Sequence, residues 1–161
     1  MQELIDAILA AMQASGFSVV SGGNFLPMPK LTAAKTAVSL KRAVCKAPVS
    51  FCYLGTKTLE NGLTVPLYGC KAENEAEFQV CAPRRLGAAA CEAQAQALMR
   101  LLLGGVDGVQ IRKLELGPCV FEPEADVFSA KISLVAEGFI YALANEDDTE
   151  FTDFILKGDI Q

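Results

Sequence analysis

Apolar residues at Leu4, Ile5, Ile8, Leu9 and Met12 recur at intervals of one, three and four, which draws a single stripe along a helix of about four turns. Ser15-Gly16 is its expected end, because glycine takes the left-handed cap conformation at little cost. A short apolar run, Phe17 to Val20, reads as a strand. The following SGGNFLPMPKLTAAK has two glycines, two prolines and no period. It is expected as a loop of roughly a dozen residues, a length that usually serves function or a partner. From Thr36 the period changes to two, with Val38, Leu40 and Val44 on one face and Ser39, Lys41 and Cys45 on the other. In YLGTKTLENGLTVPLYG the Asn61-Gly62 pair between apolar runs signals a hairpin, and Pro66 assigns the second run to an edge or a bulge. AEFQVCAP supplies a further strand through Phe78 and Val80, stopped by Pro83.

Residues 87–103, GAAACEAQAQALMRLLL, form the clearest helix, with Ala90, Ala93, Ala97, Leu98, Leu101 and Leu102 as the expected buried face. Gly104-Gly105 ends it. In GVQIRKLELGPCVF the apolar register moves from odd positions (Val109, Ile111) to even ones (Leu114, Leu116), which predicts a bulge near Arg112-Lys113. EPEAD is the turn before VFSAKISLVAEGFIYA, where Phe128, Ala130, Ile132, Leu134, Ala136, Ile140 and Ala142 alternate with Ser129, Lys131, Ser133 and Glu137. A strand so long, about 50 Å at 3.3 Å per residue, exceeds the usual five or six residues. Its inner part is expected to close the core over the Ala-rich helix, and Gly138 to Ala142 to reach a neighbouring subunit.

Strands and helices do not alternate regularly along the chain. The fold class expected is therefore α+β: a mainly antiparallel β-sheet with two α-helices packed on one face and a long C-terminal β-hairpin. Residues 1–144 read as one domain. Residues 145–161, an acidic run followed by Phe151, Phe154, Ile155 and Leu156, read as a tail too apolar to be left in water, packed on the domain or on a neighbouring subunit.

Composition narrows the chemistry. With 52% apolar and 20% charged residues, the chain is too hydrophobic for disorder, yet it has no apolar run of the roughly 20 residues that span a bilayer. The N-terminal segment is broken by Glu3 and Asp6 and has no basic flank, so no signal peptide and a cytoplasmic site of synthesis are expected. The six cysteines read as reduced thiols in ordinary packing, and the absence of histidine removes the commonest metal ligand and general base. No cofactor or metal is expected. The net charge of −5 argues against specific nucleic-acid binding. Its distribution is uneven, +3 over residues 1–46 and −8 beyond, which reads either as scatter over a solvated surface or as a basic flank, with Lys41, Arg42 and Lys46, that would meet an acidic flank of a neighbour. The acidic clusters read as solvated turn charge, and GGVDGV, which follows a helix and lacks a lysine, as a helix stop.

The layout resembles a family. An N-terminal helix, a strand-rich middle, an alanine-rich helix directly after a strand (EFQVCAPRRLGAAACEAQAQALMRLLL) and a terminal hairpin (VQIRKLELGPCVFEPEADVFSAKISLVAEGFIYA) resemble the tail terminator and tail-completion proteins of long-tailed bacteriophages and of related prophage-derived particles. The resemblance covers most of residues 1–142. It implies a non-enzymatic subunit with no catalytic residues, forming a ring with its own copies, usually a hexamer. Such a ring caps the tail tube and meets the head connector. The site would be the bacterial cytoplasm during assembly and the virion tail afterwards. Lys41, Arg42, Lys46, Phe139, Tyr141, Phe151 and Phe154 are the expected subunit interface. The other class of reading is a small-ligand-binding or regulatory domain of a bacterial cytoplasm.

Overall fold

A computed structural model describes residues 2–20, 35–143 and 154–157. Its axis is a ribbon of two very long antiparallel strands, β4 (Thr64–Pro83) and β7 (Val127–Leu143), paired without a register break from Leu67↔Leu143 to Pro83↔Val127. These seventeen pairs extend about 55 Å. LTVPLYG and AEFQVCAP, expected as separate strands, are thus two halves of β4. The segment between them, Cys70 to Glu75, alternates small or polar residues inward with charged ones outward and so continues the pleat. Pro66 sits below the ribbon's first pair, opposite Thr56 alone, where its missing N–H breaks no ladder to β7.

Shorter strands line both edges of this ribbon. Along β4 run β2 (Ala37–Lys46), opposite residues 73–81, and β3 (Cys52–Thr58), opposite residues 64–69. Two-residue β1 (Val19–Val20) lies parallel to β2. Along β7 run β5 (Gln110–Leu116), β6 (Val120–Glu122) and β8 (Phe154–Lys157), all antiparallel to it. The outer half of β7 therefore has no spare edge. Gly138 to Ala142 pair with β4 on one side, and β8 takes Phe139 to Ala142 on the other, so the expected reach of this segment to a neighbour is replaced by pairing within the chain.

The helices are α1 (Gln2–Ala14) and α2 (Gly87–Leu103), the latter entered through a single 3-10 turn at Arg84–Leu86. One core cluster joins Leu4, Ile5, Ile8 and Met12 of α1 and Cys91, Ala95, Leu98 and Leu102 of α2 to the even positions of the ribbon, Ala76 to Ala82 and Ala130 to Ala136. The buried side of α2 is rotated from the expected one: Ala93 is exposed and Cys91 and Ala95 are inside. Small residues decide this, since only a short side chain fits between a helix and a sheet at close approach.

Register shifts in three strand pairs set which side chains share a face, one of them between Tyr53 and Gly55 in β3. The one between Ile111 and Lys113 lies where the register switch placed it. A second, between Leu40 and Arg42, was not expected. It turns Val44 away from Val38 and Leu40, onto the face that carries Arg42 and Lys46, and turns Cys45 inward.

Candidate functional site

Opposite the helices, the odd positions of β4 and β7 carry charge through the middle of the ribbon. Because the ladder brings sequence-distant positions side by side, the charges form a grid with both signs interleaved. Lys46 bonds the Glu75 carboxylate, with the Arg42 guanidinium 4.0 Å from it. Glu137 accepts from Arg112 at 2.5 Å and Lys71 at 2.7 Å; Lys131 stands 3.4 Å from Glu77 and Lys113 2.7 Å from Glu115. Hydrogen bonding to Arg112, then to Lys71, holds the Glu137 carboxyl below its usual range, and Lys46 does the same for Glu75. Two depressions open on this face, one between Arg42, Glu77 and Lys113, the other between Lys71, Arg112 and Glu137.

At the end of the ribbon nearest α2, the polar groups turn inward. Glu122 accepts from Gln79 Nε2 at 2.9 Å and from the Ser129 hydroxyl, and both donors are buried. Arg84 closes that end, 3.6 Å from Asp126 and stacked 5.5 Å above the Phe121 ring. Glu122 and Asp126, read as solvated turn charge, thus have defined structural partners.

The other end is built differently. The buried side of β4 changes at Gly69: Cys70 and Ala72 are buried on the helix side, whereas Val65 and Leu67, with Tyr141 of β7, are buried on the opposite side. Gly69 permits the change, because a Cβ there would lie 2.0 Å from the Ile140 carbonyl oxygen. Tyr53 and Tyr68 face each other across β3 and β4, rings 5.8 Å apart, on the helix side but beyond the core cluster. They are 59% and 40% exposed, beside Phe51 at 50% and Val49 at 99%. That apolar exposure is concentrated where no core residue needs it.

The described residues of the expected interface fall in two groups, Lys41, Arg42 and Lys46 on β2 and Phe139, Tyr141 and Phe154 where β7 pairs with β8. Arg42 and Lys46 are exposed but matched within the sheet by Glu75, and Lys41 is half-buried at the bulge. Phe139 is half-buried, Tyr141 is buried, and Phe154 stands opposite Ala142 in the ladder. Phe151, like most of the glycine- and proline-rich loop, lies outside the described residues. The aromatic shelf of Phe51, Tyr53 and Tyr68 was missed; its one sequence signal is a tyrosine on each arm of the Asn61-Gly62 hairpin.

Among the described residues no group of three or more cysteine, aspartate or glutamate side chains is placed to hold a metal, and no helix is long and apolar enough to cross a membrane. No protein-family model matches the chain, and no curated protein sequence is similar to it. The conclusion that stands is an α+β chain built on a mixed, mostly antiparallel sheet with two helices.

Proposed function

We propose that the chain is a non-enzymatic structural subunit of a phage or prophage-derived tail. Copies of it assemble into a ring that caps the tail tube and joins it to the head connector. The fold of that family would be a sheet with both helices on one face and a C-terminal hairpin, here β7 with β5 and β6 as its other arm. The observation that carries the reading is the overhang of the ribbon. Strands β3, β4 and β7 continue past the core cluster, and the overhang carries Tyr53 and Tyr68 partly exposed on its helix side. The occupant of the shelf is a second copy of the chain, because ring interfaces join one patch to a different patch of the next subunit. The interleaved charge grid, with no single-sign field in its middle, suits a wall that neither grips nor repels a neighbouring protein.

The test is functional. The purified protein is added to its cognate tail-tube protein during polymerisation, and tube lengths and ends are imaged by electron microscopy. Shorter tubes with a ring of density at one end are expected. Unchanged length and bare ends overturn the reading, as would a gene neighbourhood without capsid and tail genes.

A further inference from the structure

Two cysteines twenty-eight positions apart approach each other where α2 begins and β5 gives way to β6. Cys91, in the first turns of α2, donates from Sγ to the Val80 carbonyl at 3.5 Å. Cys119, in the link between β5 and β6, has its Sγ 4.0 Å from the carbonyl of Ala88, one helical turn before Cys91. The Cys119 side chain thus stands against the first turns of α2, near enough to Cys91 for the one thiol to raise the pKa of the other. Cys91 is fully buried and Cys119 half-buried, so the pair has one protected and one approachable member.

We infer that Cys91 and Cys119 form an intramolecular oxidation site, which hydrogen peroxide converts into a disulfide. In the first step the Cys119 thiolate attacks one peroxide oxygen; the O–O bond breaks, and the departing hydroxide takes up a proton as water. Cys119 is then a sulfenic acid. In the second step Cys91 Sγ attacks the Cys119 sulfur and expels hydroxide, which leaves as water with the Cys91 proton. Two thiols have lost two electrons to one peroxide, and two waters have formed.

Burial pushes the Cys91 thiol up to about 12, so it is almost wholly protonated at neutral pH and does not initiate the reaction. The position of Cys119 against the same turns of α2 supplies what ionisation does not, because a partner already nearby replaces a bimolecular encounter. The product ties the start of α2 to the link between β5 and β6. That cross-link closes a loop through both the helix and β5, which raises the melting temperature by restricting the unfolded chain.

The experiment exposes the full-length protein to hydrogen peroxide, blocks remaining thiols after unfolding, and maps peptides without reduction. A Cys91–Cys119 peptide, a rise in melting temperature and reversal of both by dithiothreitol are expected. The link should be lost in Cys119→Ser and retained in Cys52→Ser. Six alkylated cysteines, a disulfide confined to the neighbouring Cys45, Cys52 and Cys70, or Cys119 oxidised to the sulfinic acid with Cys91 still a thiol would each overturn the assignment. Tube capping is not read in this test, so its outcome is separate from that of the tail reading.

Discussion

At Glu137 the sheet does what the sequence could not announce. A glutamate on the polar side of an alternating strand is an ordinary solvated residue, but β5 brings Arg112 to it and β4 brings Lys71, leaving its side chain 19% exposed. Its carboxyl is held below the range of an unfolded glutamate, near 4.3. The stabilisation is therefore complete above that range and lost as pH falls through the depressed folded value. Melting temperature should hold from neutral pH to about 5 and fall below the ordinary carboxylate range. In Glu137→Gln it should be lower at neutral pH, with the gap to wild type closing as the solution is acidified. A gap independent of pH would show that the pairing contributes nothing through charge. Asn74 shows the converse case. It is buried, its Oδ1 has no partner among the described residues, and it fits only because Gly138 has no Cβ to approach its Nδ2.

Among the elements, the central ribbon depends on its closest backbone contact. A Cβ on Gly69 would meet the Ile140 carbonyl oxygen at 2.0 Å and Tyr141 Cα at 2.8 Å, both backbone atoms that cannot rotate away. Gly69→Ala should cost about 1–3 kcal/mol in urea denaturation, the scale of overpacking. Gly117→Ala, where the nearest atom is an ordinary 3.5 Å away, should be close to neutral. Equal effects would remove the close approach as the cause. Of the elements themselves, both helices and the hairpin at Asn61-Gly62 were legible, because a 3.6-residue period and a turn dipeptide are local signals. The continuity of β4 was not. Its middle carries alanines and charges with no run of large apolar residues, so nothing local marks it as the centre of a sheet.

For the whole molecule, the shelf of Phe51, Tyr53 and Tyr68 sets the expected association behaviour. Sedimentation velocity over a rising concentration series should show wild type forming larger species. Tyr53→Ser with Tyr68→Ser should stay smaller at every concentration, with only a modest fall in melting temperature because the rings, 59% and 40% exposed, lie outside the core cluster. Equal distributions for the two proteins would exclude the shelf as the contact. Two residues of the expected basic flank are matched by an acid within the sheet. Arg42 and Lys46 come to lie beside Glu75, which is nearly thirty residues away in sequence.

By itself the sequence determined the helix of Gln2–Ala14, the helix of Gly87–Leu103, the inward alternation of Phe128 to Ala136 and the bulge at Arg112, since each follows from the spacing of neighbours along one segment. The tertiary structure decided the rest: which strand covers which edge of the ribbon, that Val44 faces outward, that Glu137 and Glu75 are paired, that Cys119 lies against the first turns of α2, and that Tyr53 and Tyr68 stand partly exposed on the helix side of the overhang. These depend on register between strands distant in the chain. A shift of one residue exchanges the two faces of a strand, and only the packed sheet fixes that choice.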